Sequence, residues 1–147
     1  MPKSINTIVL TVLVSIIAAA ASADVKVTPL GSHEGEFCRF DRAMIFEDPD
    51  GTRLLYDAGR TVAGPDDPRL GKIDAILVSH MHGDHVGDRH LTAPGAGTCS
   101  KPDVSVKATP NTNSVNISLK TGAVIVTGSE MPKFFAAKLK ALGGDPK

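Results

Sequence analysis

The chain has 147 residues, 41% of them hydrophobic, with 16 basic and 16 acidic side chains, a size that supports one domain with a modest core and excludes two. Its balanced charge excludes a nucleic-acid surface, because neutralising phosphates needs clustered Lys and Arg, and here the cations are scattered among acids. Lys133, Lys138 and Lys140 come nearest to a cluster and read as the solvated face of a helix.

The first 23 residues have the order of a secretory signal. Lys3 precedes an apolar run from Ile8 to Ala21, interrupted only by Thr11 and Ser15, and Ala21-Ser22-Ala23 places small residues at −3 and −1 of a cleavage point after Ala23. The competing reading is an uncleaved anchor, but the run is shorter than the roughly 20 apolar residues a spanning helix needs. The expectation is therefore a signal peptide over 1–23, a folded domain over 24–147, a secreted or periplasmic location and no membrane association after cleavage. Cys38 and Cys99 are the only cysteines. Exported chains fold where thiols oxidise, so one disulfide is open to them, and closing that loop would stabilise by roughly 4 kcal/mol. Two free thiols remain the alternative, and without a CxxC partner neither suggests a zinc knuckle.

Along the domain, Val25 to Leu30 alternates with period two and reads as an opening strand ending at Gly31. The runs Ala43–Glu47 and Arg53–Asp57 flank Asp48-Pro49-Asp50-Gly51, whose Pro and Gly predict the turn of a hairpin. Residues 60–71, with Gly64, Pro65, Pro68 and Gly71, read as a surface connection. Ile73 to Val78 is nearly continuously apolar, as a strand buried on both faces would be. Leu91 to Thr112 is mostly loop, with one short strand over Val104–Ala108. Val115, Ile117 and Leu119 alternate and favour a strand, a short helix being the alternative; Ala123–Val126 is a firmer strand. Ser129 then caps a predicted helix with Pro132 in its first turn, apolar positions Phe135, Leu139 and Leu142, and an end at Gly143-Gly144. Strands first, then strand and helix alternating, predict an α/β protein with a mixed sheet.

Four of the five histidines, His80, His82, His85 and His90, crowd into eleven residues directly after the apolar strand. In an extended segment residues i and i+2 point the same way, so His80 and His82 can present nitrogens to one metal ion. Gly83 permits a tight turn, after which Asp84 and His85 face a neighbouring position. These are borderline to hard ligands, which suit Zn²⁺ first and Fe or Mn next. A metal so held makes water a hydroxide-like nucleophile near neutral pH, with a second ion or Asp84, the candidate catalytic residue, able to hold or deprotonate it, and polarises a carbonyl or phosphoryl oxygen; the reaction class is hydrolysis. His33 and His90 read more simply as a solvated loop residue and a surface residue on a helix after the motif, and Tyr56, Phe134 and Phe135 as core.

The run Ser79-His80-Met81-His82-Gly83-Asp84-His85-Val86-Gly87 after its strand, with Leu54-Leu55-Tyr56-Asp57-Ala58-Gly59 before it, resembles the metal motif of the metallo-β-lactamase superfamily. That resemblance implies an αββα sandwich of which this chain carries the first half, His80 and His82 on a first zinc, Asp84 and His85 on a second, and Asp57 behind them orienting the ligands. It also implies a small-molecule ester, lactone, lactam or phosphoester substrate. The family's later ligands have no counterpart: no histidine follows His90, and neither Asp103 nor Asp145 closes a strand. The chain is accordingly expected to be the N-terminal portion of such an enzyme, truncated or split. A non-catalytic metal-binding module or inactive fragment is the alternative, with an open half-core that a homodimer would bury.

Overall fold

The computed structural model describes residues 24–34 and 37–146; the segment expected to be a signal peptide, 1–23, lies outside them. In chain order the elements are β1 (Lys26–Pro29), β2 (Met44–Glu47), β3 (Arg53–Tyr56), β4 (Ala75–Val78), α1 (Gly83–Val86), β5 (Arg89–His90), β6 (Val106–Lys107), α2 (Asn113–Thr121), β7 (Val124–Thr127) and α3 (Met131–Ala141). Five strands form one mixed sheet in the order β1-β2-β3-β4-β7, antiparallel up to β3 and parallel from β3 onward; β5 and β6 pair separately.

Alternating side chains divide the sheet into two unlike faces. Ile45, Leu55, Ile76 and Val78 point to one side and are buried, where α2 packs on β4 and β7 and α3 on β7. Phe135 and Leu139 of α3 close that core with Val115 and Ile117 of α2. The expected helical position Leu142 falls beyond α3 and stays exposed. The polypeptide after β3 and β4 therefore emerges at one end of a packed layer, and that end carries the histidine motif.

Four local expectations need correction. Residues 113–121 form a helix, not a strand: Thr112 caps it by accepting from the Val115 N–H, and Gly122, left-handed at φ 76°, ends it with its N–H on the Ser118 carbonyl. The helical stripe was masked because much of the buried face is polar. Asn113, Ser114 and Ser118 are buried and donate to the carbonyls of Val62, Val86 and Ala123. Ser129 does not cap α3; it sits at φ 58°, and Glu130 is the N-cap residue. His90 lies in the two-residue strand β5 rather than on a helix, and the strand expected over 104–108 shrinks to β6.

Cys38 and Cys99 are joined as a disulfide. The bond ties the loop between β1 and β2 to the loop before β6, two segments with little regular structure of their own.

Candidate metal centre

The motif begins where β4 ends and runs into the single turn of α1. His82 has extended backbone dihedrals and precedes the helix; Asp84 and His85 lie within it. Gly87 ends the turn in the left-handed region at φ 74°, and a Cβ there would sit 2.4 Å from both the Gly59 carbonyl oxygen and the Asn113 Cβ. No side chain fits. At Gly83 the requirement is space rather than a special φ, since a Cβ would meet the Asp88 carboxylate at 2.5 Å.

These contacts press the motif against the loop after β3. The Gly59 N–H donates to the His85 carbonyl at 2.8 Å, and Asn113 links the two segments through its N–H on the Gly87 carbonyl at 2.7 Å and its side-chain amide on the carbonyls of Gly59 and Val62. Arg60 reaches Asp88 through two hydrogen bonds, at 2.8 and 3.2 Å. Those bonds hold the Asp88 carboxyl below its ordinary range and raise Arg60 further. The pair braces the motif from its C-terminal side.

Asp57 sits at the centre of the supporting layer. It closes β3 with φ 42° and is fully buried. One carboxylate oxygen accepts the Ser79 N–H at 2.8 Å; the other accepts the Ser79 hydroxyl at 2.5 Å and faces His85 Nδ1 at 2.7 Å. A carboxylate can only accept, so the proton on His85 is placed at Nδ1 and the Nε2 lone pair is left outward. Such an arrangement fixes a ligand's tautomer and ring orientation before a metal arrives.

The three imidazole rings gather at one edge. The rings of His80 and His82 have centroids 4.0 Å apart and those of His80 and His85 5.4 Å apart. His85 Nε2 lies 3.8 Å from Asp84 Oδ2. Two donors tetrahedrally bound to one zinc with bonds of about 2.1 Å are about 3.4 Å apart, so this second pair needs only a few tenths of an ångström to share an ion. The donor chemistry suits a divalent metal, and the Asp84–His85 separation is close to that of two donors on one ion. Among the described residues no three His, Cys, Asp or Glu side chains converge on one point. Asp84 has a competing partner as well, the Arg42 guanidinium at 3.4 Å.

The remaining histidines stay apart from this edge. His33 Nε2 contacts the Gly97 carbonyl at 3.1 Å. His90 Nδ1 donates to the Leu91 carbonyl at 2.8 Å, with its ring against Gly64. Sequence reasoning missed Ser79, Asn113, Arg42 and the Arg60–Asp88 pair. Ser79 had a readable signal, its place between a buried strand and the first histidine; the others are brought in by segments whose approach no local pattern announces.

Residues 42–90 match the family model described as the metallo-beta-lactamase superfamily, a segment that includes Asp57 and the whole histidine motif. No curated protein and no solved structure matches the chain. That match over residues 42–90, together with the mixed five-stranded sheet and three helices, supports a partial metallo-β-lactamase fold.

Proposed function

We propose that the chain carries the zinc-binding edge of an exported hydrolase acting on a small ester, lactone, lactam or phosphoester. The observation that carries this reading is His85: its Nδ1 is committed to buried Asp57, and its Nε2 faces Asp84 Oδ2 at 3.8 Å. His80 and His82 would hold one ion, Asp84 and His85 the other, with Fe or Mn able to replace zinc in this donor set. When bound, zinc supplies Lewis acidity, making water acidic enough to attack near neutral pH and polarising the substrate oxygen. The chain's own contribution is position. Asp57 and Ser79 fix the His85 ring, and Asp84 would be the carboxylate that takes a proton from an attacking water. The Cys38–Cys99 disulfide supports export, because such bonds persist in oxidising compartments.

A second reading is a metal-binding module without turnover, favoured by the absence of any three-donor group among the described residues. Metal content per chain, measured with hydrolysis of a chromogenic lactam and a phosphodiester, separates the two. Bound zinc with turnover that Asp84→Ala abolishes supports the hydrolase. Bound zinc without turnover in the wild-type chain leaves the module.

A further inference from the structure

Two arginines reach the histidine motif, and they are not equally committed. Arg60 gives its guanidinium to Asp88 in two hydrogen bonds, at 2.8 and 3.2 Å, and lies over the Phe40 ring. Arg42 is looser. Its contacts are the Asp84 carboxylate at 3.4 Å and the carbonyl of its own neighbour Asp41 at 3.3 Å. Both are long for charge-assisted bonds, which run about 2.7–2.9 Å, and the Arg42 side chain is 45% exposed. A guanidinium carries several N–H donors in a rigid fork, and most of those on Arg42 stay open to a further acceptor.

The backbone around Arg42 is held firmly while its head is not. Asp41, one residue earlier, accepts the N–H groups of Ser32 and Cys38 at 3.0 and 2.7 Å, and Cys38 is tied to Cys99. Ala43, one residue later, is buried and its carbonyl accepts the Leu30 N–H at 2.8 Å. Gly59 leaves the way to the motif open: a Cβ there would stand 3.6 Å from the Arg42 Cβ and 2.8 Å from the Asp84 carbonyl oxygen. The carboxylate oxygen Asp84 Oδ2 then lies 3.4 Å from Arg42 Nη2 and 3.8 Å from His85 Nε2. Guanidinium and metal ion would share that one oxygen. An ion held about 2.1 Å from Oδ2 stands no more than about 5.5 Å from Nη2, and two cations so close, with one carboxylate between them, favour a negative group that touches both. We infer that Arg42 is the specificity-determining residue for the reacting group of the substrate, and that this group is the charged oxyanion of a phosphoester rather than a neutral ester, lactone or lactam. Of those classes only the phosphoester carries negative charge on the group that the metal polarises, and a phosphoryl group offers paired oxygens to the guanidinium fork. The inference rests on the metal-site reading above.

Magnitudes separate this role from a structural one. A half-exposed ion pair such as Arg42–Asp84 holds its partner weakly, so removing Arg42 frees Asp84 for the metal at little cost to the fold. A hydrogen bond to a charged ligand is stronger, and its loss weakens binding by about tenfold or more. Loss of Arg42 therefore acts in opposite directions on metal and oxyanion. A residue that merely braced the donor edge would weaken both.

Equilibrium dialysis for zinc, with titration calorimetry of phenylphosphonate into the zinc-loaded chain, tests the inference on the wild type, Arg42→Gln and Arg39→Gln. Arg39 belongs to the same loop but lies over the Phe40 ring at 4.8 Å, so its variant removes an equal charge without the contact to Asp84. The expected result for Arg42→Gln is phenylphosphonate bound at least tenfold more weakly, with zinc bound as tightly as by the wild type or up to about fivefold more tightly. Arg39→Gln should change both by less than about threefold, because an exposed charge beyond contact distance is screened. Zinc uptake by a wild type that does not bind phenylphosphonate overturns the role of Arg42 and leaves the metal reading standing. Phenylphosphonate affinity within about threefold of wild type in Arg42→Gln, equal losses in the two variants, or zinc and phenylphosphonate lost together in Arg42→Gln do the same. A wild-type chain that takes up no zinc overturns the metal reading and this inference with it.

Discussion

The two sides of the histidine motif are built differently. Behind it, Asp57, Asn113 and the backbone of Gly59 and Gly87 are buried, and nearly every polar atom there has a partner. In front, His80 and His82 are exposed and touch mainly each other. The fold spends its close contacts on holding the donors and few on using them. Function and stability therefore separate along the motif, so damage to the back should unfold it and damage to the front should disarm it.

The largest effect is expected at Gly87. Alanine there must adopt a left-handed φ and collide with the Gly59 carbonyl, so Gly87→Ala should cost about 4 kcal/mol, read as a fall in the urea midpoint. Asp57→Ala comes next. It strands the Ser79 N–H and hydroxyl and His85 Nδ1 without their acceptor, a loss of about 3 kcal/mol, and zinc affinity should fall on the order of 10 to 100-fold with it. If Asp57→Ala loosened zinc binding while leaving stability unchanged, the division into back and front would fail.

A pH experiment shows how far the buried support extends. Burial alone would raise the Asp67 carboxyl, but hydrogen bonds from Arg69 and from the Ala63 and Arg69 N–H groups outweigh it and bring it below 3.8. A carboxyl depressed on folding adds stability that is fully present above its unfolded value and is lost as pH falls through the folded one. Arg69 also bonds the carbonyls of Gly31 and Thr61, so Asp67→Asn should cost about 2 kcal/mol at neutral pH. That difference from wild type should shrink as pH falls below the ordinary carboxylate range; a gap that widens on acidification would contradict the account. The smallest effect belongs to the front: His80→Ala and His82→Ala should each change stability by under about 0.5 kcal/mol.

The sequence made the front more legible than the back. Period-two alternation located β1, two apolar runs either side of a Pro- and Gly-containing turn located β2 and β3, the apolar run located β4, and the spacing of the motif placed His80, His82, Asp84 and His85 at one edge. Each of those signals is local. Helix α2 was misread because its buried face is partly Asn and Ser, whose bonds to distant carbonyls replace the apolar stripe that periodicity detects. Thr112 and Gly122 flanked it as ordinary caps and could have been weighed more heavily. Asn113 and the Arg60–Asp88 pair join segments 54 and 28 residues apart, and the disulfide spans 61. Such pairings are set by the packed sheet rather than by neighbouring residues.

The most direct measurement is zinc affinity by equilibrium dialysis for the wild-type chain, His80→Ala and His82→Ala, with unfolding midpoints taken on the same samples. The account predicts zinc uptake by the wild type, at least tenfold weaker binding in each variant, and midpoints within error of one another. Equal uptake by wild type and variants, or none by the wild type, would contradict it.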